Sequence, residues 1–325
     1  MINADAGRPA GGDGRPANTN DQQWDCIIVG AGPAGLTAAL YMARYRRAVL
    51  VLHDGTARAL RIPLTHNAPG FPDGITGPDL VARMVKHAEH YGALVTQAQI
   101  EHVAREDERF VLRDKRSQMW RARSLILATG IHLNQIPLPD AVHEEAIKAG
   151  VLRYCPICDA YEQIGKRIGV IGCDTNGAKE ALFLRRYSPH ITLIPAMTTE
   201  LDGDDLETLA AVGIEVLRSP VQRYDLKDQV MRVRLVAGET RDFDVVYPAL
   251  GVTPRTELAV ALGLKTDECG CVDAQTPFET QIPGLYSAGD IVEGLDQINV
   301  AIAQGAVAAT KAHNWLRDLD GECLP

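Results

Sequence analysis

Three residues near the middle of the chain, Cys155, Cys158 and Asp159, have the types and spacing for dithiol chemistry. They stand in the stretch YCPICDAY, where two residues separate the cysteines. Two thiols at this spacing can interconvert with a disulfide, a nearby helix start lowers a thiolate pKa, and a neighbouring carboxylate can carry the proton. We therefore predict a redox-active pair; a zinc half-site and a structural pair are the alternatives.

The five other cysteines offer little support for those alternatives. A zinc site would need two more ligands, and the one cysteine-rich candidate, Cys269-x-Cys271, has a tighter gap than usual zinc ligands. We predict no metal and place Cys269 and Cys271 on a hairpin turn, with a second redox pair as the alternative. Cys26 and Cys173 follow the pattern of inert core thiols, and Cys323 is interpreted as a tail residue.

A cofactor-binding element precedes the dithiol, in the stretch WDCIIVGAGPAGLTAALYMARYRRAVLVLHDG. Its pattern predicts a buried strand over residues 26–29, a helix over 36–42 and a second strand over 48–52, which together make one βαβ unit. Asp54, about 20 residues after the glycine turn, is the candidate ribose-binding acid, and His53 beside it is the other candidate.

The turn of this unit reads GxGxxG. Gly30 makes the tight turn, Gly32 lets a pyrophosphate approach the backbone amides, and Gly35 allows the helix to pack closely on the strand. Pro33 suits the helix start, whose partial positive charge attracts phosphate. The pattern therefore predicts dinucleotide binding.

A second constellation far downstream favours a flavin rather than a nicotinamide at this first site. Asp290 follows a short apolar strand and the pair Ala288-Gly289, and a long helix of small residues begins at about Gln297. Such an aspartate can accept the ribityl or phosphate-side hydroxyls, while amides at the helix start face the electron-rich edge of the ring.

Length and composition limit the function classes. A chain of 325 residues with 46% hydrophobic content predicts roughly two globular domains. The net charge of −9 argues against nucleic acid and anionic membrane surfaces as partners, and no apolar run approaches the ~18 residues that a bilayer span needs. Residues 1–23 have neither a cationic nor an apolar segment, which predicts a disordered tail, no secretory signal and a reducing cytoplasm.

With these motifs the chain resembles the low-molecular-weight thioredoxin reductase family of FAD-dependent disulfide oxidoreductases, over about residues 24–320. The likeness rests on GAGPAG at residues 30–35, ATG at 128–130, CxxCD at 155–159 and SAGD at 287–290, in that order.

The resemblance implies an α/β fold of two Rossmann-like nucleotide-binding domains, each with three layers (ββα), the second inserted into the first. The FAD-binding domain would comprise residues 24–136 and 252–325. Residues 137–251 would form the inserted NADPH-type domain, which carries the two cysteines. The family resemblance also implies a homodimer.

The resemblance assigns roles as well. Cys158 would face the flavin as the thiolate, Cys155 would exchange with the substrate disulfide, and Asp159 would carry the proton. The FAD-binding residues that we assign from the motifs and the resemblance are Gly30, Gly32, Pro33, Ala34, Gly35, Asp54, Asn67, Thr129, Gly130, Gly289, Asp290, Gln297 and Ile298.

The second nucleotide site departs from the family pattern. In VIGCDTNGAKEALFL, Asp174 stands where the glycine of close approach belongs, between Gly172 and Gly177. Its side chain and its charge both oppose a pyrophosphate. After the next strand, residues 195–197 read Pro-Ala-Met where the family carries a basic cluster for the 2′-phosphate. The sequence therefore predicts that NADPH is not used in the usual manner.

The flavin end of the first site also differs. The loop RIPLTHNAPGFPDG lacks the usual double glycine and glutamine, and we expect His66 and Asn67 to hydrogen-bond near the ring, with a satisfied loop histidine as the alternative. Asp296-Gln297 replaces an Arg-Gln pair. An anion at that position would disfavour the reduced flavin unless Asp296 points away.

The predicted function is FAD-dependent dithiol–disulfide exchange that passes electrons to a thioredoxin-like protein or a small disulfide, with ferredoxin or a second FAD as the electron source. Three alternatives stay open: an oxidase that uses oxygen to convert a small dithiol, an NADPH-dependent thioredoxin reductase, and a non-catalytic flavin redox sensor.

Overall fold

The computed structural model describes residues 23–273 and 278–322, so most of the predicted tail and Cys323 lie outside the described residues. Gln23, which the prediction assigned to the tail, instead begins the first strand. The first segment contains β1 (Gln23–Val29), α1 (Pro33–Arg44), β2 (Val49–His53), α2 (Gly77–His90), β3 (Leu94–Gln97), β4 (Ile100–Glu106), β5 (Arg109–Asp114), β6 (Met119–Leu127) and β7 (Ile131–Leu133). A 3-10 turn, Arg58–Arg61, lies between β2 and α2.

The middle and last segments follow in chain order. The middle segment contains α3 (Asp140–Lys148), α4 (Pro156–Asp159), β8 (Ile168–Cys173), α5 (Thr175–Leu184), β9 (Ile191–Thr199), α6 (Gly203–Ala211), β10 (Glu215–Val216), β11 (Val221–Lys227), β12 (Val230–Leu235), β13 (Thr240–Phe243) and β14 (Val245–Pro248). The last segment contains β15 (Val252–Pro254), α7 (Glu257–Ala261), β16 (Leu285–Ser287) and α8 (Ile298–Leu319).

The larger sheet has the order β3-β2-β1-β6-β5-β4, and β16 pairs with the end of β6. Ile28 of β1 pairs in parallel with Val51 of β2 and with Ile126 of β6. The strands at its centre are buried on both faces, which is why they read as continuous apolar runs. Small residues of α1 and α8 cover one face. On the other face, α7 and the antiparallel strands β4 and β5, which form the far edge of the same sheet, share a buried apolar cluster with β1 and β2.

The smaller sheet repeats this plan with the parallel order β10-β9-β8-β14. Helix α5 packs on one face, in a cluster with β8 and β9. The antiparallel strands β11, β12 and β13 cover the other face through residues such as Met231 and Val233. The chain thus has the predicted α/β fold of two Rossmann-like, three-layer domains.

Two short strands connect the domains. Ile131 of β7 pairs with Pro254 of β15, and Leu133 pairs with Val252, so the outgoing and returning segments run antiparallel and side by side. The prediction placed the domain limits close to these strands, at residues 136/137 and 251/252. Those limits stay a prediction, since strand pairing alone does not define a domain boundary.

The predicted elements differ from the observed ones by one to three residues at their ends; β1 and α1 each begin three residues earlier than predicted. Strand β2 covers residues 49–53 rather than 48–52, and α8 begins at Ile298 rather than Gln297. Cys269 and Cys271 flank a turn at Gly270, whose positive φ of 83° is a backbone conformation that glycine adopts readily. None of the helices within the described residues is long and apolar enough to cross a membrane.

Candidate active site

The glycine turn between β1 and α1 forms a cradle with space for a ligand. A Cβ at Gly30 would lie 2.1 Å from the Ala128 carbonyl oxygen, and one at Gly35 would lie 2.0 Å from the Gly30 carbonyl oxygen. A Cβ at Gly32 would meet no atom within 4 Å. Packing therefore explains Gly30 and Gly35, whereas Gly32 leaves open space beside the start of α1.

The start of α1 suits a phosphate group. Gly32 is its N-cap and provides no side-chain hydrogen bond, and Pro33 occupies the first turn, where its missing N–H costs nothing. Backbone amides at such a helix start attract a bound anion. The open cradle and the uncapped helix start fit the pyrophosphate of a dinucleotide such as FAD.

A cleft of about 1560 Å³, its solvent-open space included, extends from this cradle to Cys155 and Cys158. The predicted residues that line it together are Gly30, Gly32, Pro33, Ala34, Asp54, Asn67, Thr129, Gly130, Cys155, Cys158, Asp159, Gly289, Asp290, Gln297 and Ile298. Gly35 does not line the cleft; it packs against the backbone of Gly30 and so lets α1 lie close to the turn. The fold thus gathers residues from three distant segments into one cleft.

Cys155 and Cys158 form a disulfide that faces this cleft. The side-chain amide of Gln297 donates to both sulfurs, at 3.4 Å to Cys155 and 3.5 Å to Cys158. Asn67 in turn donates its amide N–H to the Gln297 carbonyl oxygen at 3.0 Å, which orients the Gln297 amide. Because such a donor stabilises a thiolate more than a thiol, Gln297 favours cleavage of the disulfide.

From the sequence, a helix start next to the cysteines is expected to lower the thiolate pKa. The observed helix, α4, is a single turn of four residues with Cys155 as its N-cap, so its dipole is small. The donors that contact the sulfurs come instead from Gln297, about 140 residues away. We predicted Gln297 as a cofactor-binding residue, and its contact with the sulfurs was missed.

Asp159 follows the disulfide directly in sequence, has a mostly buried side chain and is held by two other side chains. Tyr247 donates its hydroxyl to one carboxylate oxygen at 2.6 Å, and the Arg153 guanidinium lies 3.2 Å from the other. Burial raises the pKa of Asp159 to about 6, although Tyr247 and Arg153 both act to lower it. A carboxyl group with this pKa can accept and release a proton near neutral pH. Sequence reasoning missed Tyr247 and Arg153 because neither belongs to a motif.

Comparison with known proteins agrees with this geometry. The sequence profile of the pyridine nucleotide-disulphide oxidoreductase family matches residues 24–305. The chain belongs to this family. It is 28% identical over 313 residues to a thioredoxin reductase of Bacillus subtilis (strain 168), covering 93% of this chain and 97% of the relative. It is 29% identical over 308 residues to a 34.2 kDa protein in a rubredoxin operon of Clostridium pasteurianum, covering 91% and 98%.

Among solved structures, the crystal structure of HlmI matches with a TM-score of 0.85 at 26% identity, over 94% of this chain and 96% of that one. The family membership confirms that the chain is an FAD-dependent oxidoreductase of the thioredoxin reductase type, and the Cys155–Cys158 disulfide fits its redox-active centre. The residue roles assigned above stay proposals, as does the use of NADPH or a second FAD.

The second domain of this oxidoreductase repeats the cradle with one change. A Cβ at Gly172 would lie 2.7 Å from the Ala249 carbonyl oxygen, and one at Gly177 would lie 1.9 Å from the Gly172 carbonyl oxygen. Both packing glycines are therefore present. Asp174 occupies the position that matches Gly32, and its carboxylate accepts the Gly177 N–H at 2.8 Å, which caps α5.

A second carboxyl group interacts electrostatically with Asp174. Glu180, in α5, is largely buried, and burial and Asp174 together raise its pKa to about 7. At residues 195–197, on β9, no basic side chain is present. A pyrophosphate here would meet an anion of the chain itself at the helix start.

The candidate ribose-binding acid, Asp54, already accepts hydrogen bonds from Thr56 and Arg255. One of its oxygens accepts the Thr56 N–H at 2.9 Å and the Thr56 hydroxyl at 2.8 Å, and the other pairs with Arg255. Burial raises the pKa of Asp54, but these hydrogen bonds outweigh it and hold the pKa below its usual value. His53 also lines the cleft, and burial lowers its pKa. Both strand-end residues therefore remain candidates for the ribose.

The loop after β2 also meets the second domain. His66 Nδ1 lies 3.0 Å from a carboxylate oxygen of Glu162, so the structure places His66 against the second domain as a paired loop histidine. Arg61 makes a similar contact with Glu144 at 2.9 Å. The two contacts join the loop after β2 to the domain that carries the disulfide.

Three of the free cysteines, Cys26, Cys173 and Cys271, have raised pKa values that make them poor thiolate nucleophiles. Burial raises the pKa of Cys26 and of Cys173 to about 12, as expected for core thiols. Burial and the nearby Asp267 raise the pKa of Cys271 to about 11, and Cys269 is exposed. Within residues 23–273 and 278–322 there is no group of three or more side chains that could hold a metal ion.

Proposed function

We propose that this oxidoreductase passes electrons between FAD and the Cys155/Cys158 dithiol, and on to the disulfide of a thioredoxin-like protein, without NADPH at its second domain. The observation that carries the proposal is the Asp174 carboxylate on the start of α5. It stands where a pyrophosphate would need to approach the backbone.

Two physical effects support the absence of NADPH. The Asp174 carboxylate uses the Gly177 N–H that would otherwise face a phosphate, and its charge repels the pyrophosphate. Residues 195–197 offer no cation to a 2′-phosphate, whose recognition depends on charge-assisted hydrogen bonds. Both effects disfavour the same ligand at separate points.

The residues of the chain then have complementary roles in disulfide exchange. Bound FAD supplies the two-electron chemistry. Cys158 is the thiolate on the flavin side, Cys155 exchanges with the external disulfide, and the Gln297 amide stabilises negative charge on either sulfur. Asp159 accepts or releases the thiol proton, and Tyr247 keeps its carboxylate in place.

The electron source in this proposal is reduced ferredoxin or a second flavin. The name of one relative places it in a rubredoxin operon, which supports testing a small redox protein as the donor. We also propose that the protein works as a cytoplasmic homodimer. Analytical ultracentrifugation of the flavin-loaded protein tests the homodimer.

A dithiol oxidase is the second candidate. It is supported by the disulfide, which already faces the flavin cleft. A small dithiol that reduced this disulfide could pass electrons to the flavin directly, and no nucleotide would need to bind in the second domain. The substrate dithiol would reduce the Cys155–Cys158 disulfide and become a disulfide itself, and the electrons would pass through FAD to oxygen and give peroxide. Peroxide formation with a dithiol as sole reductant distinguishes this candidate.

One experiment separates these functions. The oxidised protein is mixed anaerobically with NADPH, NADH, dithionite, reduced ferredoxin or a dithiol, and the loss of flavin absorbance is followed. We expect dithionite and one of the last two reductants to bleach the flavin, and NADPH at micromolar concentration to leave it oxidised. Rapid bleaching by NADPH would show that Asp174 does not exclude the nucleotide. The ratio of released FAD to chain tests the second flavin, which a ratio of one excludes.

A further inference from the structure

Arg58 forms an ion pair with two aspartates from a distant part of the chain. Its guanidinium Nη1 lies 3.0 Å from a carboxylate oxygen of Asp290 and 3.6 Å from one of Asp296. Arg58 belongs to the 3-10 turn after β2, while the two aspartates lie between β16 and α8. The contact therefore joins two separate segments that line the same cleft.

The position of this cluster along the cleft follows from its neighbours. Asp290 comes after Gly289, where an added Cβ would lie 2.9 Å from the Cβ of Ala34 in the first turn of α1. Asp296 precedes Gln297, whose amide contacts both sulfurs of the disulfide. Arg58 thus stands between the end of the cleft that fits a pyrophosphate and the end that contains the disulfide.

The charges in this cluster do not suit an anionic ligand without Arg58. The side chains of Arg58, Asp290 and Asp296 are mostly buried, with 23%, 18% and 30% of their surfaces exposed. Burial and the neighbouring Asp290 raise the pKa of Asp296 to about 6, and Arg58 opposes that rise. A dianionic pyrophosphate close to two unpaired carboxylates would be repelled.

We propose that Arg58 is a cofactor-binding residue, whose guanidinium offsets Asp290 and Asp296 and presents a cation to the diphosphate and ribityl part of FAD. It retains the flavin, and it allows Asp290 to accept hydroxyl groups without repelling the phosphates. This role concerns FAD alone and is independent of the electron donor.

The test measures release of flavin from the holoenzyme. Diluted protein is followed by the rise in flavin fluorescence as FAD dissociates, at low and at high salt. Arg58→Gln should release FAD at least about tenfold faster than the unaltered protein, and Arg58→Lys should be intermediate because it keeps the charge without the planar fork. The difference should shrink with added salt, because the pair is partly exposed.

Two further variants isolate the charge effect. Arg47→Gln removes another arginine of the same domain, one that pairs with Asp320 outside the cleft, and should leave the release rate unchanged. Asp296→Asn combined with Arg58→Gln should recover most of the lost retention, since it removes one of the unpaired carboxylates. Recovery in the double variant also shows that the loss in Arg58→Gln is not caused by misfolding.

Three results would overturn the proposal. In the first, Arg58→Gln releases FAD at a rate within twofold of that of the unaltered protein. In the second, Arg58→Gln releases FAD more slowly than the unaltered protein, which would mean that the ion pair obstructs the cofactor. In the third, the Asp296→Asn change fails to recover retention in a double variant that gives the same circular dichroism spectrum as the unaltered protein. If Arg58→Gln does not fold, the Arg58→Lys and double variants decide the matter by the same rates.

Discussion

Replacing Gly32 by Asp would give the first domain the residue that the second domain has at Asp174. Gly32 and Asp174 are both N-caps with extended backbone, at φ −79° and ψ −179° for Gly32 and φ −120° and ψ −177° for Asp174. A Cβ at Gly32 meets no atom within 4 Å, so the protein itself has space for the side chain. We expect Gly32→Asp to fold normally and to bind FAD poorly.

The two energies in this prediction differ in sign and in size. In the flavin-free protein, an aspartate N-cap in place of glycine stabilises the helix by a few tenths of a kcal/mol. Against bound FAD, a carboxylate about 4 Å from one phosphate charge costs about 4 kcal/mol at an effective dielectric constant near 20. Since about 1.4 kcal/mol corresponds to a tenfold change in affinity, FAD binding should weaken several hundredfold.

The assay combines two measurements on each variant. FAD bound per chain and its dissociation constant are measured by flavin fluorescence, and thermal unfolding of the flavin-free protein reports on the fold. The control is Gly32→Ala, which adds a methyl group without charge or capping oxygen and should lose less FAD affinity than Gly32→Asp. Retention of FAD by Gly32→Asp with unaltered affinity would refute the assignment of the cradle to the pyrophosphate, and unfolding of the flavin-free variant would refute the packing argument.

Three other predictions concern the proton carrier, the sulfurs and the fold. Tyr247→Phe removes a hydrogen-bond donor that limits the rise of the Asp159 pKa to about 6, so this pKa and the midpoint of the pH–rate profile of disulfide exchange should both rise further, the pKa by roughly one unit. An unchanged midpoint would show that Asp159 does not control the rate. Gln297→Leu removes the amide that contacts both sulfurs, and the thiolate pKa of the reduced protein should rise by about one unit, measured from the pH dependence of alkylation by iodoacetamide. An unchanged alkylation profile would contradict this role. Gly305→Ala places a Cβ 2.1 Å from a backbone oxygen of α1 and should lower the free energy of unfolding by about 1–3 kcal/mol in urea titrations, whereas Gly203→Ala, where a Cβ meets nothing within 4 Å, should not destabilise the fold.

The local features of the site could be predicted from the sequence because each depends on a few neighbouring residues. A strand followed by GxGxxG and a helix specifies its own turn, since packing forces Gly30 and Gly35 to lack side chains. The loss of the ligand-facing glycine at Asp174 was visible for the same reason. The order of the motifs along the chain also indicated the family and the inserted second domain.

The tertiary structure decided which distant residues meet. It turns the Cys155–Cys158 disulfide towards the cleft and brings Gln297 to the sulfurs, an arrangement that depends on how one domain lies against the other. It also pairs Asp159 with Tyr247 and Arg58 with Asp290, across 88 and 232 positions of sequence. No local pattern specifies these pairs, because a side chain gains its partner only when the sheets and the connecting strands have packed. Sequence alone therefore determined which chemical groups the protein has, and the packing of the two domains determined which of them act together.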